Sequence, residues 1–211
     1  MKYEKTYSTN NIVLHDDKYL SKALYDKDNH IRAVYDSKSI RVYQAFNHKI
    51  ADQVLEDGIF GTYFNRNRMT WLKTSFLWMM YRSGWATKEN QERILAIEIK
   101  RDAFDYLVNK AVSTKYDSEE YGSVEEWKRS LNESDIRIQW DPERDIYGNP
   151  LDYRSIQIGI KGELVEKYLK EWIIRITDIT DYVTELRMLL VDNKDISELL
   201  PKEVSYTVRL Q

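Results

Sequence analysis

The chain contains no cysteine. Disulfides, thiolate metal sites and cysteine nucleophiles are therefore excluded, and a reducing cytoplasmic setting is the natural expectation. There is no excess of positive charge either. Its 32 basic and 35 acidic side chains leave a formal net charge of −3, so no global field draws nucleic acid to the surface. Long apolar runs are missing too. Residues 1–17 are polar and charged, unlike a signal peptide, and no stretch approaches a membrane span. Histidine is scarce: His15, His30 and His48 have no metal-ligand spacing between them, so no metal is expected. No Gly-x-Ser-x-Gly elbow marks a serine hydrolase. Gly159-Ile-Lys-Gly162 is too short for a dinucleotide-binding fingerprint.

What is abundant is tyrosine and tryptophan, 16 and 6 against 5 phenylalanines. Their polar handles suit wet sites and half-buried surfaces as well as cores. A length of 211 residues fits one domain able to bury a sizeable core. Residues 1–30 read as a lead-in and 31–211 as the domain. Two alternating runs, 31–35 and 40–46, flank the turn-forming Asp36-Ser-Lys-Ser39 and suggest a hairpin. Asn47 and Gly58 bracket a helix over 48–57. Residues 93–99 and 136–140 read as strands, and so do 155–160 and 203–210. Residues 102–112, 124–131, 162–172 and 178–190 read as helices. Such irregular interleaving predicts an α+β domain with a mixed, mostly antiparallel sheet flanked by helices.

The most informative stretch is residues 66–85, Arg66-Asn-Arg-Met-Thr-Trp-Leu-Lys-Thr-Ser-Phe-Leu-Trp-Met-Met-Tyr-Arg-Ser-Gly-Trp85. A helix over 74–82 would put Ser75, Trp78, Met79 and Arg82 on one face, with Trp71 a step earlier. An aromatic to stack on a base, a guanidinium to fork to phosphate and hydroxyls to orient are what a nucleotide needs. Buried Trp and Met with snorkelling arginines would read the same way. The second candidate is Gln139-Trp-Asp-Pro-Glu-Arg-Asp145, just after a strand. There Asp141, Glu143 or Asp145 offers a carboxylate, with Arg144 or Arg154 to pair with it; a solvated acidic turn is the plainer reading.

Several segments together resemble the domain-of-unknown-function family 4291. They are Ile31-Arg-Ala-Val-Tyr35, Val42-Tyr-Gln-Ala-Phe46, Arg68-Met-Thr-Trp71, Ser75-Phe-Leu-Trp-Met-Met-Tyr-Arg-Ser-Gly-Trp-Ala86, Gln91-Glu-Arg-Ile-Leu-Ala-Ile97 and Gln139-Trp-Asp-Pro-Glu-Arg144. Thr74 stands where that family has proline. The order of motifs also resembles, more loosely, ADP-ribosyltransferase-like domains. Val42-Tyr-Gln44 and Val54-Leu-Glu-Asp-Gly-Ile59 match the first strand and helix, Tyr63-Phe64 and Ser75 the second motif, and Glu143 the late catalytic glutamate. Gln44 stands where those enzymes have His or Arg.

That second resemblance implies an NAD-type nucleotide as cofactor or substrate and a transferase reaction. Glu143 and Gln44 would be the catalytic candidates, and Tyr43, Arg68, Thr70, Trp71, Ser75, Trp78 and Arg82 would line the nucleotide site. The acceptor, protein or nucleic acid, stays open. Two alternatives remain. One is a single-stranded RNA module in which Trp and Tyr stack bases while Arg66, Arg68, Lys73 and Arg82 contact phosphates. The other is a protein-interaction domain with a Trp-rich hot spot.

Overall fold

A computed structural model describes residues 29–209; the expected lead-in lies outside them up to residue 28. Its centre is two long strands that are legible as alternating runs. β2 (Ser39–Phe46) pairs antiparallel with β4 (Arg93–Lys100) along its whole length, from Ser39 opposite Lys100 to Phe46 opposite Arg93. Between them come three elements. Helix α1 (His48–Asp57) starts where the Asn47 side chain accepts from Ile50 N at 3.0 Å, and ends at Gly58 in the left-handed region. β3 (Thr70–Lys73) and α2 (Phe76–Ser83) follow.

The expected helix over 74–82 is thus shorter and begins after a strand. Thr70-Trp-Leu-Lys is β-forming and alternates, but inside a continuous apolar run so short a period is hidden. Ser75 ends the extended stretch, because its hydroxyl accepts from Trp78 N at 3.1 Å and caps α2.

Downstream lie α3 (Arg101–Lys110), the short β5 (Val112–Ser113), α4 (Val124–Glu133), β6 (Ile136–Arg144) and β7 (Pro150–Ile160). α5 (Glu163–Lys167) runs into a π turn over Tyr168–Trp172. Then come β8 (Ile173–Asp178), α6 (Thr180–Val191) and, at the end, β9 (Val204–Ser205). The main sheet has seven strands in the order β5-β6-β7-β3-β2-β4-β8, antiparallel except for β5 beside β6. The domain is α+β with a mixed, mostly antiparallel sheet, as the alternation of patterns implied.

Two expectations are corrected. The turn at Asp36 forms, its Oδ1 accepting from Lys38 N and Ser39 N at 2.7 Å each. A minimal hairpin forms around it, through an antiparallel bridge between Tyr35 and Ile40 and the bonds from Asp36 N to the Ser39 carbonyl and from Arg41 N to the Val34 carbonyl, both 2.9 Å. The regular strand before it, however, is only β1 (Arg32–Ala33), which pairs with β9 in a separate two-stranded sheet. The Ile-rich β8 was not expected at all. It follows a helix pattern without a turn residue between them, and pairing with β4 at the sheet edge makes it a strand.

The sheet separates two cores. On one face Val42, Leu72, Leu95, Ile97 and Ile158 pack with Val54 of α1, Phe104 and Leu107 of α3 and Tyr168. On the other, Tyr43, Ile94 and Ala96 pack with Phe76 and Met80 of α2 and with Val183 and Leu186 of α6. Among the described residues no helix is long and apolar enough to cross a membrane.

Candidate functional site

Strand alternation decides which side chains can meet. Tyr43 lies opposite Lys73, Lys73 opposite Gln157, and Gln157 opposite Gln139. Two residues on from Gln139, Asp141 lies opposite Ser155. Partners in an antiparallel pair share a face, and so do residues two apart. Lys73, Asp141, Ser155 and Tyr43 therefore share the face that carries α2. A break in register between Pro142 and Arg144 re-aims the strand end, and there Glu143 is buried.

Lys73 is the most deeply buried cation among the described residues, 1 % exposed. Its Nζ donates to Asp141 Oδ2 at 3.3 Å and to the Ser155 carbonyl at 3.2 Å, and it sits 4.1 Å from the Trp78 ring centroid. Burial pushes its ammonium down to about 8, against the opposing pull of Asp141 and Glu143.

The start of α2 gathers two glutamates. Ser75 Oγ donates to Glu143 Oε1 at 2.7 Å, and Arg144 N donates to the same oxygen at 2.9 Å. Phe76 N donates to Glu203 Oε1 at 2.7 Å, so a helix N-terminus faces both acids. Glu203 is half-buried as a residue, but its carboxyl is enclosed. Burial, helped by the charge of Glu143, pushes that carboxyl up to about 8, against the Phe76 N–H bond. A cavity of about 300 Å³ opens here, its polar lining including Arg32, Glu143, Arg144, Asp145 and Glu203, with Ser75, Tyr153 and Ser197. Leu77, Ile146 and Leu151 give it an apolar side. The Arg144 guanidinium lies 3.9 Å from the Tyr81 ring centroid. The arrangement offers a carboxylate held by two donors, a second carboxyl whose burial favours its neutral form, and two guanidiniums in the lining.

The model of one protein family, described as a domain of unknown function (DUF4291), matches residues 30–206. The chain belongs to this family. No curated protein matches it.

In this DUF4291 domain the residues singled out in the sequence divide into groups. Ser75 and Glu143, 68 positions apart, meet directly. Trp78 and Tyr43 stand behind them: the Trp78 ring receives the Lys73 ammonium, and Tyr43 is buried against Phe76 with ring centroids 5.6 Å apart. Gln44 does not join them. As the neighbour of Tyr43 it faces the opposite core, where its Nε2 donates to the Trp71 carbonyl at 2.9 Å and its Oε1 accepts from Tyr168 OH at 2.8 Å. Thr70 is buried opposite Ile160, on that same far face. Trp71 shares the Lys73 face but lies over Gly159, where an added Cβ would come within 3.0 Å of its ring. Arg68 is exposed, and Arg82 donates to Gln91 Oε1 at 3.0 Å. Arg66 is paired with Glu166. The basic residues of the 66–82 stretch are therefore not gathered on one surface.

Three groups in the DUF4291 cavity carried no signal as site residues in the sequence. Arg32 lies in β1 and Glu203 just before β9, at the two ends of the domain, and the Arg32 guanidinium donates to the Glu203 carbonyl at 2.8 Å. Tyr153 enters from the first half of β7, which extends beyond the expected 155–160. A lone charge beside a short strand looks like any surface charge until the fold encloses it.

Proposed function

We propose that this domain binds a nucleotide of NAD type and transfers its ribosyl group, as an ADP-ribosyltransferase-like enzyme. The observation that carries the reading is the buried Ser75–Glu143 hydrogen bond at the wall of a cavity rimmed by Arg32 and Arg144. Loss of nicotinamide builds positive charge on the ribose, and a fixed carboxylate beside that carbon stabilises it. Ser75 Oγ and Arg144 N both donate to Oε1 of Glu143, which leaves Oε2 for the sugar. Arg32 and Arg144 suit the phosphates. Gln44 has no part in this reading, since its amide is held on the far face of the sheet.

The test is calorimetry with NAD at millimolar concentration, followed by chromatography for released nicotinamide. NAD binds the wild-type chain, nicotinamide appears, and Glu143→Gln lowers its release about 100-fold while binding persists. Absence of binding at that concentration overturns the reading.

A further inference from the structure

We infer that Glu203 is a second catalytic acid of this site, which protonates a departing neutral nucleobase, so that purine nucleoside monophosphates are substrates beside NAD. This rests on the nucleotide-cleaving reading above and narrows it.

The geometry comes first. Glu203 enters from the C-terminal segment, yet it lines the same cavity as Glu143. It is fixed from two sides, by Phe76 N on Oε1 and by the Arg32 guanidinium on its carbonyl. The charged and titratable groups around it are Arg32 of β1, Arg41 and Tyr43 of β2, Lys73 of β3, Glu143 and Arg144 of β6, Asp145 just after it and Tyr153 of β7. Enclosure and the neighbouring Glu143 hold its proton up to about pH 8. Glu143, by contrast, accepts two hydrogen bonds on one oxygen. Two carboxyl groups in one cavity, one kept protonated and the other kept as an acceptor, make an acid paired with a stabiliser of positive charge.

Such an acid has nothing to do in NAD cleavage. Nicotinamide is bound as a pyridinium and leaves as a neutral ring without a proton. A purine is different: unless a ring nitrogen is protonated, it must leave as an anion. The cavity, about 300 Å³, also lies at the small end of ligand sites, a size that fits a mononucleotide moiety.

The step balances without a further reagent. The bond from C1′ to the base nitrogen breaks and its electron pair goes to the base, which takes the Glu203 proton. The Glu143 carboxylate stabilises the cation at C1′. Water adds there and gives its proton to Glu143; Glu143 then loses one proton to solvent and Glu203 regains one. The products are the free base and the sugar phosphate.

The experiment incubates the full chain with AMP or GMP, and in parallel with NAD, and measures the released base by chromatography. Adenine and guanine are released, and their release falls as pH rises through about 8, a fall that nicotinamide release does not share. Glu203→Gln keeps an acceptor for Phe76 N and lowers the ratio of purine to nicotinamide release about 100-fold or more. Glu143→Gln lowers both releases. If Glu203→Gln does not fold, the wild-type pH profiles carry the test alone. Nicotinamide release without purine release overturns the role of Glu203 and leaves the nucleotide-cleaving reading standing. So does an equal loss of both releases in folded Glu203→Gln. Release from neither substrate, with no binding, overturns that reading and this inference with it.

Discussion

Replacing Lys73 by methionine removes an ammonium while keeping most of the side-chain volume. The change leaves Ser155 O without its 3.2 Å donor and Trp78 without a cation over its ring. Asp141 loses its ion pair and keeps only Gln139 Nε2, at 2.8 Å. Breaking a buried pair from one side costs about 3–5 kcal/mol, because the partner charge stays behind. The Asp141 side chain is 17 % exposed, so water and Gln139 compensate in part, and the expected loss is about 3 kcal/mol at pH 7. In a domain of this size that corresponds to about 6–12 °C in Tm.

Equilibrium urea unfolding followed by tryptophan fluorescence measures that loss, and its pH dependence tests the cause. In the folded chain the Lys73 ammonium is pushed down to about 8, against 10.5 for a free lysine. Between those values the unfolded chain binds more protons than the native one, so wild-type unfolding free energy rises with pH there. For this group alone the rise is up to about 3 kcal/mol. Lys73→Met lacks it, so the gap between the two proteins widens from pH 7 to pH 10. Asp141→Asn costs less in the Lys73→Met background than in the wild type, the sign of a coupled pair. A Lys73→Met protein within about 1 kcal/mol of wild type at pH 7, or one whose stability follows pH in parallel with it, refutes the buried-cation argument.

Three further outcomes are expected. Ser75→Ala removes both the α2 cap and the Glu143 donor, costing about 1–3 kcal/mol in urea unfolding; a loss under about 0.5 kcal/mol contradicts that dual role. Gln44→Leu leaves the buried Tyr168 hydroxyl without its acceptor and costs about 1–3 kcal/mol, yet leaves NAD affinity by calorimetry where it was, because Gln44 faces away from the cavity. Glu203→Gln flattens the pH dependence of stability: the wild-type carboxyl, raised to about 8 from 4.5, binds more protons in the native state between those values, so wild-type stability falls as pH rises through that window, whereas the variant melts with a flatter profile.

The sequence made some elements plain and concealed others for definable reasons. β2, β4 and α1 were legible because each carries a complete local signal: eight-residue strands with buried faces, and a helix bracketed by Asn47 and Gly58. β3 was not, since four residues of alternation vanish inside an apolar run that continues into α2. Ser75 and Glu143 could be picked out by side-chain chemistry, but no local pattern carries information about a contact across 68 positions. Gln44 shows the sharper limit. One residue separates it from Tyr43, and strand parity, set by pairing with β3 and β4, puts the two on opposite faces. Glu203 was beyond reach, because its enclosure depends on β9 finding β1 at the other end of the chain.

The chemistry of the cavity-side face argues that it was not selected for packing alone. Lys73, Glu143 and the Glu203 carboxyl each lose hydration there, and well-packed apolar residues in place of a buried ion pair are often neutral or stabilising. The opposite face, built from Val42, Leu72, Leu95 and Ile158, shows that the same strands accept such residues readily. Ionisable groups retained at that cost beside a cavity, with the titration of Lys73 and Glu203 displaced, mark a candidate reactive site. Ser75 ties the two demands together. Its hydroxyl accepts from Trp78 N to begin α2 and donates to Glu143 to aim the carboxylate. The first turn of that helix and the orientation of the acid therefore share one oxygen atom, which couples the two even though Arg144 N also holds Glu143 and Glu203 also holds Phe76 N.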